Sequence, residues 1–181
     1  MTSANDPFLA EIRQTFGRCV VTQKTHEKDA ERKVRQSLWL TWTNVVVITV
    51  TLAATLVAFL IHGVAAQLVS IISAVVAFAF ATAQLSFQPQ REAAEHRSSA
   101  KAFLAIRDDF GRLIADEKCG STPDELRNRR NVLADRLNDL YAHAPQTSPK
   151  AYAKACEVLA KNEQLAFSDE ELDRMLPPQL R

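Results

Sequence analysis

From Gln36 to Gln90 the chain reads QSLWLTWTNVVVITVTLAATLVAFLIHGVAAQLVSIISAVVAFAFATAQLSFQPQ, with no Asp, Glu, Lys or Arg, and only His62 in it can titrate. The whole-chain figures conceal this. The protein has 181 residues, a formal net charge of +1 and 24% charged residues, with a mean hydropathy of −0.12. A soluble domain must wet its surface somewhere, and so long an uncharged interval leaves no residues to do it. One membrane unit joined to a polar helical region fits better than a single soluble core. The plainer reading, a helical hairpin buried inside a soluble protein, requires other residues to cover both apolar segments.

The interval divides in two. Val45 to Ile61 is apolar apart from threonine hydroxyls, which can bond back to their own helix backbone, and Val64 to Phe87 is built from Val, Ile, Ala and Phe with a few Ser, Thr and Gln. Each is near the threshold of about 20 residues for a span. Gly63 stands midway between Arg35 and Arg91, so each uncharged arm is about 27 residues, or roughly 40 Å of helix, enough for a bilayer with its headgroups. Only Ile61-His62-Gly63 remains for the turn, and it carries no Lys or Arg. Lys24, Lys28, Arg32, Lys33 and Arg35 precede the hairpin, and Arg91, Arg97, Lys101 and Arg107 follow it. This asymmetry puts both termini on the cytoplasmic side of the inner membrane. Arg32, Lys33, Arg35 and Arg91 then anchor the hairpin at the membrane surface, with Trp39 and Trp42 at headgroup level.

Polar and small residues inside the spans form stripes. Gln67, Ser70, Ala74, Ala77, Ala81 and Gln84 repeat with a heptad period on the second span. Asn44, Ile48, Thr51, Thr55 and Ala58 make a looser counterpart on the first. Such faces let membrane helices approach closely. The sharper reading makes Asn44, Thr51, Thr55, Gln67, Ser70, Ala74, Ala77 and Gln84 the lining of an aqueous path, and because two helices enclose no pore it requires several copies. The spans hold no carboxylate or Arg to serve as a proton relay or ion coupler, which argues against a pump or secondary transporter.

Outside the hairpin the expected structure is helical. Asp6-Pro7 is an N-cap with Pro at the first helical position. Phe8, Ile12, Phe16 and Val20 recur every four residues, and nothing beyond them prevents one long helix from running into the first span. After a kink expected at Pro89, Ala93, His96, Ala100, Phe103, Arg107, Phe110 and Ile114 follow a heptad and should pack antiparallel on the N-terminal helix, through His96, Phe103 and Phe110 in particular. Thr122-Pro123-Asp124-Glu125 is a capping box opening a helix to about Ala142, Ser148-Pro149 opens a shorter one, and Ser168 to Glu171 caps a last turn before Pro177-Pro178. The fold class is therefore an all-α membrane protein, a two-helix transmembrane hairpin continuous with a cytoplasmic helical bundle. Residues 1–38 form the cytoplasmic N-terminal helix, 39–88 the hairpin with spans at about 43–61 and 64–86, and 89–181 the cytoplasmic helical region.

No catalytic signature is present: there is no H-E-x-x-H, G-x-S-x-G, Walker A or G-x-G-x-x-G. His26, His62, His96 and His143 lack metal-ligand spacing, and no cofactor is expected. Cys19, Cys119 and Cys156 are odd in number and scattered, as reduced cytosolic thiols are. The first twenty residues carry Asp6, Glu11, Arg13 and Arg18 and do not read as a signal peptide. Arg127, Arg129 and Arg130 alternate with acids and read as a salt-bridged solvent face rather than a phosphate grip; no nucleic-acid partner is expected.

The cationic helix, the hairpin, the Glu95-His96-Arg97 to Phe103 stretch and then Ala144-Pro145-Gln146-Thr147-Ser148-Pro149-Lys150-Ala151-Tyr152-Ala153-Lys154-Ala155 together resemble the SLATT family of bacterial two-transmembrane effectors, over about residues 12–160. The resemblance implies a membrane effector of an antiviral, abortive-infection type of system. Such a protein is held quiet until triggered, then oligomerises and forms a pore or disrupts the inner membrane. Its partners would be the lipid bilayer, further copies of itself and a separate nucleotide-signalling or sensor protein. The competing reading, from another class, is a non-conducting two-span anchor or scaffold whose cytoplasmic helices recruit a partner protein. An enzyme comes a distant third.

Overall fold

Between Pro7 and Ile61 only Gly17 weakens a helix, and in the computed structural model this whole segment is one helix, α1 (Pro7–Ile61), of 55 residues. It is followed by α2 (Val64–Ser86), α3 (Pro89–Lys118), α4 (Pro123–His143) and α5 (Pro149–Val158). The structure describes residues 7–61, 63–119 and 122–159. Asp6, His62, the Ser168–Glu171 box and Pro177-Pro178 lie outside them.

Two expected details differ. Pro89 does not kink a continuing helix: Phe87 and Gln88 are non-helical and Pro89 begins α3. The physical reason is that proline lacks the N–H of a continuing ladder and disfavours helical geometry at the residue before it, whereas it suits a first helical position. Thr122 occupies the N-cap of α4, but its side chain makes no capping bond; the first turn is closed by Leu126 N–H donating to the Thr122 carbonyl. The Thr122 side chain is exposed, where water competes for its hydroxyl.

The described residues fall into two units, Met1–Ala30 with Ala94–Arg181, and Glu31–Ala93. In the first unit α1, α3 and α4 share one apolar core. Ile12, Phe16 and Cys19 come from α1, Phe103, Ile106, Phe110, Leu113 and Ile114 from α3, and Leu126, Leu133 and Leu137 from α4. Full burial of each large side chain contributes about 1.5–3 kcal/mol. The buried stripe of α1 runs Ile12, Phe16, Cys19, Gln23, His26, Ala30, alternating steps of four and three. The four-residue series through Val20 drifts around the helix by about 40° per step, so Val20 ends half-buried at the edge and Cys19 takes the core position. Its partner on α3 is Ala100, Phe103, Arg107, Phe110, Ile114.

Contacts run in opposite senses along the two helices. Phe16 lies against Gly111, Gln23 accepts a hydrogen bond from Arg107, and His26 meets His96. The pair is antiparallel.

The arginines of α4 lie beside carboxylates. Arg129 pairs with Asp116 at 2.6 Å, Arg130 with Glu11 at 2.9 Å and Arg127 with Asp124 at 3.9 Å. These exposed pairs are worth about 0–1 kcal/mol each and fix orientation more than stability. Burial raises the Cys19 thiol to about 12, against the smaller opposing pull of Arg18 and Arg107, so it is an inert core side chain.

The short helix α5 is fastened by one carboxylate. Asp29, almost fully buried, accepts from the Ser148 backbone N–H at 2.7 Å and from the Ser148 hydroxyl at 2.7 Å, while that hydroxyl accepts from Ala151 N–H as the N-cap of α5. Ala151, Ala155 and Cys156 are then buried beneath it. Asp29→Ala should destabilise this unit by about 2–3 kcal/mol, because it strands a buried N–H and removes a charge-assisted bond. Limited trypsin digestion should show faster cleavage after Lys150 and Lys154; unchanged cleavage would mean that α5 is held by its alanine face alone.

Candidate functional site: the hairpin seam and a buried histidine pair

The second unit is a hairpin with polar contacts across its seam. Gln84 Nε2 donates to the Leu40 carbonyl at 3.1 Å, the Thr51 hydroxyl donates to the Val47 carbonyl of its own helix at 2.8 Å and shares that proton with the Ser73 carbonyl at 3.3 Å, and the Thr55 and Ser70 hydroxyls lie 3.1 Å apart. Thr55 also donates to the Thr51 carbonyl at 2.9 Å, so Ser70 is the donor in the hydroxyl pair. The remaining hydroxyls bond to their own backbone, Thr43 to Trp39, Thr49 to Val45 and Thr82 to Phe78. Hydrocarbon offers such groups no partner, and each bond removes a cost of several kcal/mol.

Apolar side chains point the other way. Phe59 is 72% and Phe78 75% exposed, and Val46, Leu52, Leu60, Ile71, Ile72 and Val75 are exposed as well. Both helices are long and apolar enough to cross a membrane, and 6% and 0% of their most apolar windows are buried. A hairpin lying inside a soluble protein would show the reverse. Trp39 and Trp42 are exposed at one end of the hairpin, Arg35 and Arg91 are exposed, Arg32 is half-buried, and Lys33 pairs with Glu92.

The expected stripes are placed unevenly. Thr51, Ser70, Ala77 and Gln84 are half-buried, Thr55 touches Ser70 although largely exposed, and Asn44 is half-buried with no side-chain bond to another described residue. Gln67 and Ala74 are exposed and stand outside the seam. The half-buried row of α2 is Ala66, Ser70, Ser73, Ala77, Phe80 and Gln84, about one residue's rotation from the row expected. Both rows share the heptad positions 70, 77 and 84, and periodicity alone does not choose between them. Ser73 is the residue missed, and its only signal was its spacing of three from Ser70.

In the first unit the structure brings together two histidines that lie 70 positions apart. His26 and His96 face each other through Nδ1 at 3.0 Å, both buried, and His26 stacks on Phe103 with ring centroids 5.4 Å apart. Phe103, itself fully buried, packs on Tyr141, whose hydroxyl lies 3.2 Å from that of Thr22. Phe110 completes the α3 face in the same core. One Nδ1 must carry a proton and the other must not, so the pair holds at most one charge. Burial, then the neighbouring His96, lowers His26 to about 4 despite the opposing pull of Asp29. No three His, Cys, Asp or Glu among the described residues converge as metal ligands.

The unfolded chain protonates His26 near its ordinary 6.5, whereas the folded chain does so only near 4. The unfolded state therefore binds the extra proton in that window. Stability is full above pH 6.5 and falls as pH drops toward 4, by on the order of 3 kcal/mol at most. Thermal melts of the full chain in detergent should show this slope, and His26→Phe should flatten it. An equal slope in the variant would assign the acid sensitivity to other groups.

Comparison with curated proteins and with solved structures gives no match. Residues 8–171 match the family described as SMODS and SLOG-associating 2TM effector domain family 4, nearly the whole chain and including both spans. The chain is thus a membrane protein of two transmembrane helices, and it belongs to this SLATT effector family, whose membership implies a membrane effector of a conflict system.

Proposed function

We propose that this protein is the membrane effector of a bacterial antiviral, abortive-infection type of system, and that when triggered it assembles into an oligomer that permeabilises the inner membrane. Both termini are cytoplasmic, the trigger comes from a separate nucleotide-signalling or sensor protein acting on the helices outside the membrane, and no catalysis is involved. The observation that carries this reading is how the small and polar series of α2 divides. Ser70, Ala77 and Gln84 turn toward the chain's own seam, while Gln67, Ala74 and Ala81 form an exposed outer row. A row of small residues lets a second copy approach closely, and the Gln67 carboxamide makes no hydrogen bond to another described residue that would have to be broken first.

The second reading, a non-conducting anchor whose cytoplasmic helices recruit a partner, is favoured by the same seam seen from the other side. Its polar groups are already engaged within one copy, and Thr51, Thr55, Ser70 and Gln84 then serve packing alone.

Liposomes loaded with a self-quenched dye and carrying the purified protein separate the two. Leakage should rise with protein density, and Ala74→Leu on the outer row should reduce it about tenfold while the hairpin still inserts. Ala77→Leu should instead disturb the hairpin itself and lower the yield of inserted protein. Absence of leakage under conditions that restore toxicity in cells would favour the anchor, and undiminished leakage from Ala74→Leu would rule out the outer row.

A further inference from the structure

Between α3 and α4, within the first unit, lies a groove of about 390 Å³ whose lining includes Asp109, Arg112, Asn128, Arg129, Val132 and Arg136. Three guanidiniums thus share it with one carboxylate. Arg112 donates to Asp109 at 2.8 Å, Arg136 reaches the same carboxylate at 3.5 Å, and Arg129 donates to Asp116. A guanidinium has five N–H donors, and these three side chains make no other hydrogen bond or ion pair with a described residue. The Asn128 carboxamide makes none at all with another described residue. Val132, 58% exposed, sets an apolar side chain among these donors.

Single exposed arginines are ordinary. Here donors outnumber acceptors around one concave surface with an apolar side chain in it, which suits a run of carboxylates carrying one apolar residue. The chain contains such a run, Asp169-Glu170-Glu171-Leu172-Asp173, with four acids and no base. It lies outside the described residues, joined by residues 160–167 to Leu159 at the end of α5. The ten positions from Leu159 to Asp169 reach up to about 35 Å, and the C-terminal end of α4 stands roughly 18 Å along that helix from Val132. So short a tether holds the run near the groove at about millimolar effective concentration. Ion pairs that are individually weak then suffice, an advantage that a separate protein lacks.

We propose that the α3–α4 groove is the docking surface for the chain's own acidic run at 169–173. The carboxylates take donors that Arg112, Arg129 and Arg136 leave unused, and Leu172 covers Val132. While the run is docked, the groove is closed to any other acidic segment. The inference is independent of effector activity.

The test is photo-crosslinking of the full chain in detergent, with benzoylphenylalanine in place of Val132 and the products mapped by mass spectrometry after trypsin. The cross-link should appear at the mass of a single chain and join position 132 to the peptide 162–174. Asp169→Lys with Glu170→Lys should lower its yield about fivefold, as should about 0.5 M salt. Adding Arg112→Glu with Arg136→Glu to the reversed run should restore more than about half of the yield, because the charges are then exchanged rather than lost. No cross-link to residues 162–174, or a yield indifferent to both charge reversal and salt, would overturn the proposal. So would a product at twice the chain mass, which would assign the groove to a second copy. Should the arginine variants fail to fold by circular dichroism, the reversed run and the salt dependence decide alone.

Discussion

Hydrocarbon offers no hydrogen-bond partner, and from Gln36 to Gln90 the chain is built around that deficiency. Each backbone group must be paired within its own helix, which leaves helices as the only form this stretch can take on its own. The same constraint acts on side chains. Thr43, Thr49, Thr51, Thr55 and Thr82 donate to their own backbone, and Thr51, Thr55, Ser70 and Gln84 also make contacts across the seam. Exposed Phe59 and Phe78 need none. The inside-out arrangement of the hairpin is thus one requirement met at two levels, and it fixes which residues face the partner helix.

The first unit obeys the opposite solvent and still buries polar groups. Along the heptad stripe of α1 the chemistry changes from Ile12, Phe16 and Cys19 to Gln23 and His26. An apolar stripe alone would tolerate α1 slipping one heptad against α3, since Phe and Leu pack on several neighbours equally well. Gln23 with Arg107 and His26 with His96 do not tolerate it. A slip would leave buried donors and acceptors unpaired, at about 1–3 kcal/mol each. Asp29 with Ser148 applies the same condition to α5. Buried polar pairs of this kind contribute little net stability but select one register.

The helices were legible because their signals are local: proline at first positions, the uncharged interval, and the heptad from Ala93 to Ile114. The single helix from Pro7 to Ile61 could be read from the absence of breakers. What escaped depends on partners distant in sequence. His26 and His96 are each unremarkable on their own helix, and neither Asp29 nor Ser148 announces the other. Ser and Ala mark both the seam of α2 and the row beside it, so only the position of α1 decides that Ser73 lies in the seam and Gln67 and Ala74 outside it. The α1 stripe was read at a period of four, and it needed a partner helix to reveal three and a half.

The strength of the seam bears on how the hairpin can associate. Its three interhelical polar contacts, at Gln84, Thr51 and Thr55, are each worth about 0.6 kcal/mol by the average for membrane interiors. Together they supply roughly 2 kcal/mol, too little by themselves to hold two free helices together in a bilayer. The connection through His62 and Gly63 changes the balance, because so short a link raises the effective concentration of α2 beside α1 to about millimolar or above. A second copy competing for Ser70 or Gln84 must overcome that advantage, whereas a copy approaching Gln67, Ala74 and Ala81 displaces only lipid. Association through the outer row therefore leaves the hairpin intact, and any aqueous path formed this way would run between hairpins rather than through one.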